Sequence, residues 1–339
     1  TGTVNPDFSQ VEADAEQLVF DPRSAVFFPE KRPFFLEGSE RFQVPNGLIY
    51  SRSIVRPDFA AKLSGKVSSF DLGAVVALDD RTASRTDNRP VVGLFRATRD
   101  LGAASSIGAV YTDRTDGDFS NRVGGLDGRF VSGAYTLSLQ GALSANRDSQ
   151  LDANGHLWDA SLGRAGRRFG FQTRFRGTSA DFVAGSGFLS RVGTVSLQAT
   201  PRMTWLGQPS DRVESYSSAV NLSASWLHDA FFDGEKPEDI KLHLNNSWAL
   251  RGGWQLGASL LIERFWYLPY LYPNYRIQSA EPNGAPEPFV GRPAIDNYDL
   301  VLTANTPQWS RVSGTMFFIA GRDVNFDEWA EAYVLIIDT

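Results

Sequence analysis

The stretch Thr194-Val195-Ser196-Leu197-Gln198-Ala199-Thr200-Pro201-Arg202-Met203-Thr204-Trp205 decides the fold. Its odd positions are apolar or Pro and its even positions are polar, a period of two expected of a β-strand with two unlike faces. Globular strands usually run to about 5–6 residues, whereas a tilted bilayer crossing needs about 9–11. Sorting sustained from 194 to 205 fits the longer span. Working outward, Tyr135, Leu137, Leu139 and Leu143 alternate with Thr136, Ser138, Gln140 and Ser144, and Phe169, Phe171 and Phe175 alternate with Arg168, Gln172, Arg174 and Arg176. Downstream, Ile240, Leu242, Leu244 and Trp248 oppose Lys241, His243, Asn245 and Ser247. Leu256, Leu260 and Ile262 oppose Gln255, Ser259 and Glu263, and Leu300 and Leu302 oppose Asp299 and Thr303.

Read this way, the chain holds about sixteen strands or more, from 47–54 and 60–67 through 329–338. Short links near 68, 100–101, 131–132, 164–166, 251–252 and 307–310 alternate with long ones at 80–88, 113–121, 178–189, 228–238 and 267–296. Tight turns at one end and long loops at the other characterise an up-and-down outer-membrane barrel. Trp205, Trp226, Trp254 and Trp266 fall at strand ends on the apolar face, where amphipathic rings meet a membrane–water interface. The expected fold is all-β, an antiparallel transmembrane β-barrel in the outer membrane of a Gram-negative-type bacterium, with lipid as its first partner.

Composition agrees by exclusion. The chain has 339 residues, no Cys, 3 His and a formal net charge of −6. Without Cys there is no disulfide framework, thiolate nucleophile or Cys-ligated metal, and the acidic balance argues against a nucleic-acid partner. No apolar run is long enough for a membrane-crossing helix. The mean hydropathy of −0.24 is what two opposite faces average to.

Residues 1–46 do not alternate. They are rich in charge and Phe and broken by Pro6, Pro22, Pro29 and Pro33, so they are expected to form an irregular plug-like segment preceding a barrel over 47–339. Val4-Asn5-Pro6-Asp7-Phe8, Gln10-Val11-Glu12-Ala13-Asp14 and Phe27-Phe28-Pro29-Glu30-Lys31-Arg32-Pro33-Phe34-Phe35-Leu36-Glu37-Gly38 resemble the bacterial envelope family carrying domain of unknown function 5916. Ile49-Tyr50-Ser51-Arg52 and Ala61-Lys62-Leu63-Ser64-Gly65-Lys66 continue the resemblance. It implies a C-terminal outer-membrane barrel that follows a periplasmic module similar to family 9 carbohydrate-binding domains. That module is absent here, and the chain ends at Ile336-Ile337-Asp338-Thr339 without a terminal aromatic, so a piece of a longer protein is expected. Asn5, Asp7, Glu12, Asp14, Glu30, Lys31, Arg32 and Glu37 are the residues on which the entry motif rests.

Chemistry-bearing constellations are thin. Asp113, Asp116 and Asp118 lack calcium-loop spacing, Gly185-Ser186-Gly187 reads as a flexible loop rather than a nucleophile elbow, and His156, His228 and His243 fall on separate segments. Glu12, Asp14, Glu30, Glu37 and Glu40 could supply a glycosidase pair, but Lys31, Arg32 and Arg41 among them make salt bridges holding a plug the simpler account. No cofactor, metal or catalytic residue is expected.

The polar face supplies the candidate lumen: Arg168, Gln172, Arg174, Arg176, Arg202, Lys241, His243, Gln255 and Glu263. Cations there would favour an anionic solute, unless they pair with Glu263, Asp299 or the acidic groups of residues 1–46. Arg264, beside Trp266 on the apolar face, reads as a side chain that snorkels. Three functions follow: a passage or gated channel for a polar solute, a structural anchor docking an envelope-protein partner through long loops or the lumen, and, with least support, a glycan-acting hydrolase.

Overall fold

The computed structural model describes residues 1–6, 14, 21–148, 152–278 and 284–338. Its strands are β1 (Gly2–Val4), β2 (Pro57–Val67), β3 (Phe70–Asp79), β4 (Val91–Asp100), β5 (Ser106–Asp116), β6 (Phe119–Ser132), β7 (Tyr135–Arg147), β8 (Asp152–Arg164) and β9 (Phe169–Thr178). They continue with β10 (Thr194–Leu206), β11 (Val213–Leu227), β12 (Asp239–Leu250), β13 (Trp254–Trp266), the short β14 (Arg276–Ile277) and β15 (Glu287–Pro288), then β16 (Ala294–Asn305), β17 (Thr315–Asn325) and β18 (Ala330–Asp338). All but β14 and β15, which pair with each other, form one antiparallel sheet of 16 strands in chain order. Among the described residues the ladder runs from β1 to β18, and no pairing joins those two ends.

The strand count agrees with the alternation, although two assignments change. Residues 47–54 are not a strand. They form tight 3₁₀ turns at Pro45–Gly47 and Ser51–Ser53, because Pro45 and left-handed Asn46 and Gly47 cannot continue an extended run. The missing strand is made up by β1, which pairs with Phe59–Ala61 of β2. The link at 113–121 is no long loop: β5 and β6 run through it to a turn at Gly117, whose φ of 60° permits the tight reversal.

The described residues divide into two compact units, one within Thr1–Val19, Ser24–Leu162 and Phe175–Val195, the other within Phe20–Arg23, Gly163–Arg174 and Ser196–Thr339. In the first unit, the register places Lys62, Val75, Leu94, Thr112, Val123 and Ser144 in one row across β2–β7. All six are buried, and three are polar. The adjacent row on the opposite face is Leu63, Ala74, Phe95, Tyr111, Gly124 and Leu143. Here Leu63 is 77%, Phe95 43%, Tyr111 44% and Leu143 69% exposed. The covered face mixes polar with apolar side chains while the bare face is apolar, unlike a sheet that buries its whole apolar side against a core.

The second unit repeats the apolar bare face. Val220, Leu244, Leu260, Leu300, Ala320 and Leu335 form one row across β11–β18, with the last three leucines exposed. Aromatics collect at both strand ends. Trp205, Tyr216 and Trp248 stack at centroid distances of 5.1 and 5.2 Å, and Trp254 meets Trp309 edge-on near the short turns. Trp226 against Phe231, and Trp266 beneath Arg264, lie toward the long connections. A hydrophobic cluster of Phe265, Tyr272, Ile295, Val324, Phe326 and Trp329 packs toward that end. Arg23 stacks over Phe265 and Phe326 while bonding Asp21 and Asp239, and these carboxylates outweigh burial and raise its pKa.

Candidate functional site: an N-terminal segment seated on a polar strand face

Residues 25–56 cover the polar face of the first unit. Prolines at 29, 33 and 45 keep the segment from joining the ladder, so its backbone groups need side-chain partners, and the strands supply them. Its apolar side chains fill two patches: Phe35 and Ile54 with Ala60, Val75, Ala77, Val92 and Leu94, then Leu48 with Val110, Val123, Ala142, Leu157 and Phe182.

The polar side chains of the strand face point at this backbone. The Lys62 ammonium donates to the carbonyls of Phe34 and Glu37. Arg114 donates to Ser53 O at 3.1 Å and Ala83 O at 2.9 Å, and Gln140 donates to Pro45 O at 3.0 Å. In return, the Asn46 amide donates to Gln140 at 2.6 Å and Asp159 at 2.8 Å. Arg96 on β4 and Asp127 on β6 form a buried bidentate pair across Gly108 on β5. A Cβ at Gly108 would lie 2.5 Å from the Arg96 guanidinium, so a side chain there would push the guanidinium off its present place. Lys62, Arg114 and Gln140 thus bond the segment's backbone, while Arg96 and Asp127 bond each other.

Arg32 is the centre of the segment's own network. It is 8% exposed, caps the Phe35 ring at 4.4 Å, and donates to Ser51 O at 2.9 Å and Ile54 O at 2.6 Å. Glu30 pairs with it through both carboxylate oxygens and also accepts from the Ser51 hydroxyl at 2.6 Å. Burial disfavours the Glu30 charge, but the bonds from Arg32 and Ser51 outweigh it and hold the carboxyl below its ordinary 4.5. Nearby, Asp14 meets Arg52 and, at 3.6 Å, Lys31, and the Arg52 hydrogen bonds lower its pKa from 3.8. Groups with depressed folded-state values contribute stability above their ordinary pKa and lose it as pH falls through the folded value. Amide protection over residues 28–56, relative to the intrinsic exchange rate at each pH, is therefore expected to stay constant from about pH 8 to 5 and to fall below about pH 4. Loss of protection already at pH 6 would refute the carboxylate anchors.

The remaining entry-motif residues are dispersed. Asn5 sits just past β1 with φ of 42°, its amide bonded to Asp58 O at 2.8 Å. The Glu37 carboxylate reaches Lys62 only at 3.9 Å. Asp7 and Glu12 lie outside the described residues.

The candidate lumen residues do not form one cluster. Arg168 precedes β9 instead of sharing that strand with Arg174 and Arg176, and its carbonyl accepts from Thr204 N at 2.7 Å. Gln172, Arg202 and Gln255 are exposed, while Arg174 and Arg176 are half-buried and engaged. Lys241 pairs with Glu263 at 2.5 Å, and His243 bonds the Ser259 hydroxyl, which donates to Asn245 at 2.8 Å. Among the described residues no group of three His, Asp or Glu side chains could hold a metal. Asp113 pairs with Arg122, while Asp116 accepts from Ser84, Arg85 N and Thr86.

The Gly185-Ser186-Gly187 stretch is pinned, contrary to the flexible-loop expectation. Asn121, fully buried, accepts from Gly185 N at 2.6 Å and donates to Val183 O at 2.9 Å, and Ser186 O accepts from Tyr50 N at 2.9 Å. A Cβ at Gly185 would stand 2.8 Å from the Asn121 carbonyl oxygen, so the paired glycines signalled close backbone approach. Phe27, Tyr50 and Phe188 meet beside this loop at centroid distances of 5.3–5.5 Å, edging a cavity of about 450 Å³ that Glu30, Lys62 and Phe42 also line. Asn121, Gln140, Asn46 and Arg96 carried no signal in the sequence, since each occupies an ordinary polar position of an alternating or irregular run.

No curated protein and no solved structure matches the chain. A family match covers β1, the seated segment and β2 up to the turn at Ser68: residues 2–68 match the family described as Domain of unknown function (DUF5916).

Proposed function

We propose that the chain is an integral outer-membrane β-barrel, closed at rest by its own N-terminal segment, that acts as a gated passage for a polar solute. The observation that carries this reading is the bare apolar face. Leu63, Phe95, Tyr111 and Leu143 are exposed in one row, while the row behind them is covered although Lys62, Thr112 and Ser144 make half of it polar. An exposed apolar face of many strands is far beyond the few hundred Å² that a water-soluble monomer tolerates, and lipid is the solvent that favours it. The aromatic rows at both strand ends of the second unit support the same reading. Closure of the sheet belongs to the proposal, because the unpaired backbone edge of β18 has no partner in hydrocarbon.

The seated segment supports a closed resting state. Pairing of Lys241 with Glu263 removes one cation from any anion preference, which then rests on Arg168 and Arg202. The test is refolding of the full chain into phospholipid vesicles, followed by planar-bilayer recording. Heat-modifiable migration with near-silent resting conductance is expected. A chain that stays in the aqueous phase would overturn the membrane reading. Silence that persists after the segment is displaced would instead favour the anchor reading, which the dense bonding of residues 30–56 also supports.

A further inference from the structure

The bare face of the second unit carries a groove of about 560 Å³ across β10–β13, lined by Leu197, Ala199, Leu222, Ala224, Leu242 and Ile262. Its depth comes from Ala199 and Ala224, small residues set among leucines and isoleucines. At the end nearer the long connections, Arg264 and Asp296 close the groove as a bidentate pair of 2.6 and 2.7 Å, both about half exposed. They belong to the row Ala224, Ile240, Arg264 and Asp296. Alongside, Arg322 bonds Glu331 at 2.9 Å, and Arg292, 71% exposed, reaches Glu331 at 3.6 Å. This belt therefore sets three guanidinium groups against two carboxylates and is net cationic.

Resting on the membrane reading above, we infer that this groove is a binding site for a single glycerophospholipid, with an acyl chain in the trough and the headgroup phosphate on Arg264. The trough is mostly apolar, with Ser223, Lys241 and Glu263 the polar residues of its lining away from Arg264 and Asp296, so it suits methylenes better than a polar solute. A guanidinium carries five N–H donors in a planar fork, and the contact with Asp296 uses two of them. Arg264 can thus keep its carboxylate and still bond a phosphate oxygen, the anion that guanidinium geometry matches best. The Trp266 ring, 6.0 Å from the guanidinium carbon, sits at the depth where such rings meet headgroups. The positive excess of the belt complements a phosphate and repels a cationic partner.

The experiment uses the full chain refolded into vesicles of phosphatidylethanolamine and phosphatidylglycerol, extracted into mild detergent and weighed intact by mass spectrometry. One phospholipid retained per chain is expected. Ala224→Phe, which fills the trough, and Arg264→Gln, which removes the charge and most of the donors, should each lower retention at least fivefold while leaving heat-modifiable migration unchanged. Retention equal to that of the unaltered chain in both variants would overturn the site. Conversion of a dimer to a monomer by Ala224→Phe, with no lipid retained by either form, would overturn it in favour of a second copy. Failure to enter vesicles at all would overturn the membrane reading and this inference together, whereas insertion without retained lipid would overturn this inference alone.

Discussion

Replacing Arg32 by Ala is expected to release the N-terminal segment and turn a near-silent protein into a conducting one. Arg32 is buried, bonds three segment carbonyls and both oxygens of Glu30, and covers the Phe35 ring. Removing one partner of a buried ion pair leaves the other charge uncompensated and costs roughly 3–5 kcal/mol. At about 1.4 kcal/mol per tenfold, the detached fraction of the segment should rise by roughly two to three and a half orders of magnitude. Cleavage by added protease between 28 and 56 and bilayer conductance should increase together, while the sheet, whose ladder does not use Arg32, persists. Arg41→Ala is the internal control: its partners Glu40 and, at 3.6 Å, Asp71 are solvent-accessible, so each pair contributes about 0–1 kcal/mol and neither readout should move by more than about tenfold. A segment that stays protease-resistant in Arg32→Ala would refute its role as a self-held plug. Cleavage without conductance would instead support the anchor reading.

Leu300→Arg should block assembly in lipid while Ser247→Arg does not. Leu300 lies mid-strand in the bare row with Leu244 and Leu260, and a cation on the lipid face of a membrane strand near the midplane costs about 2–4 kcal/mol. Ser247 lies on the opposite face, across from Gly257, where a long side chain meets little. Urea titration of folding into vesicles measures the difference. Equal stability of the two variants would mean that the bare face does not contact lipid, and the membrane proposal would fall.

The alternation read from residue 60 onward located nearly every strand because its cause is local: successive side chains of an extended chain point to opposite sides, whatever lies beyond. Short irregular elements escaped it. Residues 47–54 have an apolar, strand-like content, yet Pro45 and the left-handed Asn46 and Gly47 turn them into a seat on the sheet. The turn at Gly117 escaped for the opposite reason, since Asp113, Asp116 and Asp118 look loop-like but two of them pair within or beside the strands.

By itself, then, the sequence determined an antiparallel sheet with one apolar and one polar face, its aromatic ends, and an irregular charged segment ahead of it. Only the tertiary structure shows what the polar side chains of the first unit meet. Alternation reports that Lys62, Arg114 and Gln140 share a side, but a hydrated channel and a bed for a backbone call for the same residue types. The partners that distinguish them lie far away in the chain, from Pro45 to Gln140 and from Asn121 to Gly185. Such pairing is fixed by where the fold brings the backbone, which no local pattern encodes.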